Sequence, residues 1–240
     1  MLVPKEHGTY GELLFPLVAA IVLGSPNAGV WSLAAIALGG FLGHEGARVL
    51  VGGRGPRAQR DQRTAAWRSL GVCGGLALAG AVVATPVLTS DAWTAATIAA
   101  ALSLLAIVSA AVGAEHSLAG ETLAAVALPA WALPVAVQGG VSWIAAMVLA
   151  GTWICGYVGA TGVVHVVIAR TRKRPVTLPA IVAVTGALAG PAVSSAALPL
   201  SAAVAVLLVL PVTAHRLRHV GWGVVAASAG TLVWMLLCGR

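Results

Sequence analysis

Between Glu121 and Arg170 the chain carries no Asp, Glu, Lys or Arg, and residues 13–44, 69–90, 92–114 and 175–215 are equally free of charge. Runs this long and unbroken constrain the fold more than any motif does. A backbone N–H or C=O left unpaired in hydrocarbon is too costly to persist, so only helices and closed barrels cross a membrane. Barrel strands alternate an apolar outer side chain with a polar inner one. These runs do not alternate, which leaves an all-α chain. The expected architecture is a polytopic transmembrane bundle, with residues 1–240 forming a single integral membrane domain.

Composition supports the same class. Apolar residues make up 59% of the chain and charged residues only 9%, against about 25% charged in a soluble domain. Lipid must therefore solvate much of the surface. At roughly 20 residues per crossing, nine candidate spans fit: 10–24, 28–51, 70–88, 93–114, 122–137, 141–169, 178–193, 196–212 and 222–238. An odd number puts the N-terminus and the loops after the even-numbered spans on one side. Thirteen of the fourteen Lys and Arg residues then share that side, with Arg240 alone opposite. The positive-inside rule makes that side cytoplasmic and places the chain in the inner membrane, with its C-terminus outside the cytoplasm. The formal charge of +7 is thereby explained by topology rather than by nucleic acid, which is excluded as a partner. No signal peptide is read at the start, because Lys5, Glu6, His7 and Glu12 interrupt the apolar stretch there. Cys73, Cys155 and Cys238 lie in separate runs and read as small core residues.

Tryptophans mark the expected interfaces. Trp31, Trp93 and Trp143 open spans on the outer side, and Trp67 and Trp222 sit at the inner one. Trp131, Trp153 and Trp234 read as core. Gly39 with Gly43, Gly71 with Gly75, and Gly186 with Gly190 have the four-residue spacing that lets helices approach closely in lipid.

One pattern occurs twice. Glu6-His7 followed by Gly11-Glu12 and Leu14 returns as Glu115-His116 followed by Gly120-Glu121 and Leu123, at a fixed offset of 109 residues. The chain has only seven acidic residues and six histidines, so the repetition carries information. It predicts two related four-helix halves, about 1–114 and 115–213, with an extra helix over 222–238. Both openings then face one cytoplasmic mouth. His44, Glu45 and Arg48 at the end of the second span, and His165 near the end of the sixth, fall on the same side. His44 and Arg48, four apart, share a helix face.

Glu6, His7, Glu12, His44, Glu45, Arg48, Glu115, His116, Glu121 and His165 are thus the pocket candidates. Ionisable groups at the edge of apolar runs are costly, and a cost met twice at equivalent places points to a shared pocket or an ion-pair network. The plainer alternative is that they snorkel to water at helix ends. Arg54, Arg57, Arg60 and Arg63, with Arg170, Arg172, Lys173 and Arg174, have two readings as well. They set topology and meet anionic lipid, or they clamp an anionic head group through the planar guanidinium fork.

The opening Pro4-Lys5-Glu6-His7-Gly8, followed by Glu12-Leu13-Leu14 and Pro16, resembles the start of the YwiC-like family of bacterial membrane proteins. That resemblance brings no assigned activity. The nine-span plan, the polar loops after spans two and six, and the stretch from Ala119-Gly120-Glu121 through Pro134 to Gly139-Gly140 resemble the UbiA-type intramembrane prenyltransferases. Those enzymes hold magnesium and a prenyl diphosphate between two aspartate-rich motifs. This chain departs from that pattern, since its only aspartates are Asp61 and Asp91. No motif supports magnesium or haem, and the cofactor stays unassigned.

Three functions remain open on the sequence. The first is a membrane-embedded binding protein or transferase-like enzyme with an altered site, taking an isoprenoid- or quinone-like lipid. The second is a transporter, against which the outer side offers few polar residues. The third is a non-catalytic subunit or assembly factor of a membrane complex.

Overall fold

The computed structural model describes residue 2 and residues 7–210 and 217–238. Among these there is no strand. The helices are α1 (His7–Leu23), α2 (Ala28–Leu50), α3 (Pro56–Asp61), α4 (Arg63–Val87), α5 (Ser90–Ala111), α6 (Leu118–Ala130), α7 (Ala132–Gln138), α8 (Trp143–Thr171), α9 (Thr177–Val193), α10 (Leu198–Val209) and α11 (Leu217–Cys238). A 3-10 turn over Ser195–Ala197 leads into α10.

Helix starts follow local chemistry. Asn27, Thr89, Ser117 and Ser142 each accept a hydrogen bond from a backbone N–H in the first turn of α2, α5, α6 and α8. Such caps satisfy donors that the helix itself leaves unpaired.

Five helical segments among the described residues have the length and hydropathy to cross a membrane: α4, α5, α6 with α7, α8 and α11. α1, α9 and the 3-10 turn with α10 supply shorter apolar helices. The protein is a helical membrane protein with a lipid environment. Side chains such as Val72, Leu78, Leu104, Leu188 and Leu237 stand 60% or more exposed and require an apolar solvent.

The segments differ in how deeply they are packed. Of the five long apolar segments, α8 is the most deeply buried and α5 the least. α8 is the hub. Trp153 stacks between Phe15 of α1 and Tyr157, with ring centroids 6.2 and 5.8 Å away. The Tyr157 hydroxyl donates to the Gly11 carbonyl at 2.9 Å and lies 3.2 Å from Ser228 Oγ, tying α1 and α11 to α8.

Close helix pairs are built on glycine. A Cβ on Gly39 would stand 2.5 Å from the Cys73 carbonyl oxygen of α4, and one on Gly186 would stand 2.6 Å from the Cys155 oxygen of α8. Backbones can meet this way only where no side chain intervenes. Gly71 and Gly75 behave differently, since an added Cβ would meet nothing within 4 Å. That third glycine pair sits at no helix contact.

Several boundaries differ from the sequence reading. α4 begins at Arg63 rather than at residue 70, because Arg63 and Arg68 continue the helix beyond its apolar part. Arginine is a good helix former, so the hydropathy edge is not the helix edge. The arginine loop before it contains α3. The fifth run, read as one span, is divided at Trp131 into α6 and α7. Pro129 and Pro134 flank that break, and each lacks the N–H that would continue the ladder. Trp234, read as core, is 42% exposed.

The helices leave a gap on one side. α4 packs along α2, and α5 packs along α6 and α7, yet α2 and α5 meet at few places. At one end a neutral clasp closes this gap. Asn27 Nδ2 donates to the Gln138 carbonyl at 3.0 Å, while Gln138 Nε2 donates to the Val87 carbonyl at 3.1 Å. Gln138 Oε1 accepts from Thr89 N at 3.1 Å, and Ser25 N donates to the Gly139 carbonyl at 2.7 Å.

Candidate functional site

At the opposite end the gap becomes a cavity of about 380 Å³, within the ~300–1,000 Å³ of ordinary small-molecule sites. Its deep part is apolar: Ile36, Ala37 and Phe41 of α2, Ala106 and Ile107 of α5, and Ala127, Leu128 and Trp131 at the α6–α7 break. Its mouth is ionisable. Thr9, Glu12, His44, Glu45, Arg48, Arg54, Glu115, His116 and Glu121 line it. Ile36 and His44 are eight residues apart on α2, so at 1.5 Å per residue the cavity reaches roughly 12 Å inward from the mouth.

Sequence and local structure explain how these groups come together. His44 and Arg48, one turn apart, both face the cavity from α2. Ser117 caps α6, which sets Glu121 in its first turn. The turn before it, closed by the Ala114 N to Ser109 O bond and by Gly113 at φ 76°, carries Glu115 and His116. Positive φ at that place favours glycine.

The mouth is held by paired charges. Arg48 donates to Glu115 and bridges α2 to the α5–α6 turn, and its Nη1 also lies 3.6 Å from Glu45 Oε2. Arg54 grips Glu45 with both ends of its fork, Nε to Oε1 at 2.8 Å and Nη2 to Oε2 at 2.9 Å. Arg48 and Glu45 are almost fully buried. His165 Nε2 lies 2.9 Å from Glu121 Oε2, linking α8 to α6. His116 lies 3.3 Å from Glu115 and 3.8 Å from Glu121.

Of the ten pocket candidates, seven line the cavity: Glu12, His44, Glu45, Arg48, Glu115, His116 and Glu121. His165 stands behind Glu121 as its partner. Glu6 lies outside the described residues, as does the side chain of His7, although His7 itself opens α1. The second glutamates of the two repeated Glu-His openings, Glu12 and Glu121, both line the cavity.

The loop arginines divide. Arg54 is at the mouth. Arg57, Arg60 and Arg63 are exposed on α3 and the start of α4, away from the cavity. Arg170 donates to the carbonyls of Leu208 and Leu210 at the end of α10, at 3.2 and 3.5 Å. Arg172, Lys173 and Arg174 are exposed beyond α8, with Lys173 at φ 52°.

The sequence reading took Trp131 for a core residue and passed over Ser103. Trp131 Nε1 donates to Ser103 Oγ at 3.0 Å, and both residues line the cavity. A tryptophan flanked by prolines in the middle of an apolar run was the available signal. Among the described residues no three His, Cys, Asp or Glu side chains stand where they could share a metal ion.

No curated protein and no solved structure matches the chain. The model of the family described as YwiC-like protein matches residues 3–137. That segment holds every cavity-lining residue except Thr161. It covers more than half of the sequence, and the chain belongs to the YwiC-like protein family.

Proposed function

We propose that this YwiC-like chain binds a lipid-soluble amphiphile of the isoprenoid or quinone type in the cavity between α2 and α5, with the head group at the ionisable mouth. The observation that carries the reading is the gradient within one cavity, from apolar walls at Ile36, Ile107 and Trp131 to the cluster around Glu12, Glu121 and Arg48. An amphiphile has that same gradient. The side of the cavity supports a route from the bilayer. α2 and α5 scarcely touch, and Gly40 and Ile107, one on each wall, are exposed.

The arginine distribution supports a cytoplasmic mouth in the inner membrane. In this reading the scaffold is akin to the UbiA-type prenyltransferases, built from two related halves, with the aspartate chemistry absent and glutamate, histidine and arginine in its place. If the chain catalyses a reaction, that reaction is a transfer onto or from such a lipid at the mouth. Transport fits less well. Alternating access needs a polar path to both faces, and the Asn27–Gln138 end is fastened by neutral hydrogen bonds.

The test is lipid identification. The chain extracted with its surrounding membrane should retain an isoprenoid-class lipid above its share of the bulk membrane. Replacing Glu12→Gln and Glu121→Gln together should lower that enrichment at least about tenfold, since two head-group partners are lost. Equal enrichment in both preparations would remove both glutamates from any site.

A further inference from the structure

The cavity's own charges specify what kind of head group it can hold. Among the described residues, four carboxylates line it (Glu12, Glu45, Glu115 and Glu121) against two guanidiniums (Arg48 and Arg54), a formal balance of −2 with the histidines neutral. The guanidiniums are already engaged. Arg54 is bidentate on Glu45, and Arg48 is bound to Glu115 with Glu45 at 3.6 Å. Protonating His44 and His116, the two histidines in the lining, would only bring the sum to zero, and His116 already faces Glu115 and Glu121. A phosphate or diphosphate brought into this partly desolvated mouth would meet like charge without a vacant fork to receive it.

Among the described residues, one enclosed donor beside the mouth has no acceptor. Arg48 Nε lacks a hydrogen-bond partner among the described residues, in a side chain that is 10% exposed. An unmatched buried donor is costly, and a bound acceptor relieves that cost. The complement to this mouth therefore both accepts from Arg48 Nε and donates to carboxylates. A hydroxyl group does both: it has one O–H donor and two lone pairs.

We infer that the site selects an uncharged, hydroxyl-bearing prenyl lipid, such as a prenyl alcohol or a quinol, over the corresponding phosphate or diphosphate. This rests on the amphiphile reading above and narrows it to one class of head group. The loop cations Arg57, Arg60, Arg63, Arg172, Lys173 and Arg174, exposed and outside the cavity, then meet the phosphates of surrounding lipids rather than the ligand's head.

A head-group series on one tail tests the inference. Farnesol, farnesyl phosphate and farnesyl diphosphate are titrated separately onto the full chain in nanodiscs of zwitterionic lipid, with and without magnesium. Binding is read as the shift of the unfolding midpoint, and the Glu12→Gln, Glu121→Gln chain corrects for partition into the bilayer. Farnesol should bind at least about tenfold more tightly than the diphosphate, given like-charge repulsion at the mouth. Glu115→Gln, which frees the Arg48 fork, should narrow that ratio. Diphosphate binding equal to or tighter than farnesol, in either metal condition, overturns the inference and leaves the amphiphile reading standing. Saturable binding of none of the three overturns both.

Discussion

The gap between α2 and α5 is fastened at its two ends by opposite chemistry. At one end, Asn27, Gln138, Thr89 and Ser25 exchange neutral hydrogen bonds with backbone groups of three loops. At the other, Arg48, Glu115, Glu45 and Arg54 form a partly buried ionic chain. Neutral bonds to backbone groups lose little when water enters, and each contributes a modest net stability. Ion pairs in a partly desolvated mouth are different. Their net gain is small, but each partner depends on the other to stay compensated. The neutral end is suited to staying shut. The ionic end joins the same two walls and leaves donors and acceptors lining the cavity.

The contrast is broken most severely by Arg48→Ala. That change leaves Glu115 at the mouth without its guanidinium, while Glu45 keeps Arg54, and uncompensated buried charge costs about 3 kcal/mol or more. Unfolding of the detergent-solubilised chain, followed by helical circular dichroism, should show a loss of that size. Arg48→Met combined with Glu115→Met removes both charges and should recover most of the loss. A double variant no more stable than the single one would mean that Arg48 acts through packing and not through its charge. At the neutral end, Gln138→Ala deletes the side-chain bonds to Val87, Thr89 and Asn27 Oδ1, keeps the Asn27 Nδ2 bond to the Gln138 carbonyl, and strands no charge. Its expected cost is about 1 kcal/mol, with lipid retention unchanged. A larger penalty at Gln138 than at Arg48 would invert the contrast.

Much of this fold was legible, for one physical reason. Helices in lipid must satisfy their own backbone, so an uncharged apolar run is already largely helix, and most of the described residues of each run lie on helix. Edges were less legible, because the signal was hydropathy and not helix propensity. Arg63 and Arg68 belong to α4 although they lie outside its apolar part. Glycine spacing alone could not separate contact from chance. Gly39 and Gly186 sit against neighbouring backbone, whereas Gly71 and Gly75, equally spaced, face open space. Charge asymmetry led the sequence reading to expect the candidate residues together, and seven of them line one cavity. It could not pair them. Arg48 and Glu115 are 67 residues apart, and nothing local to either marks the other as its partner. The role of Trp131 depended on a mid-run break that two prolines announced without giving its direction.

The mildest test separates the buried part of the ionic clasp from its rim. Arg54 holds Glu45 in a bidentate pair, but its side chain is 33% exposed, against 10% for Arg48. Water and salt reach a pair of that kind, so its net contribution is roughly 0.5 kcal/mol. Arg54→Ala should cost about that much near 0.01 M salt and progressively less toward 1 M, where the screening length falls to ~3 Å. The loss on Arg48→Ala should persist across the same range, because the Arg48 pair is shielded from the ions that screen Arg54. Parallel salt profiles for the two variants would place both arginines in the same environment. The mouth would then be a solvated rim throughout, without the desolvated centre on which its preference for a neutral head group depends.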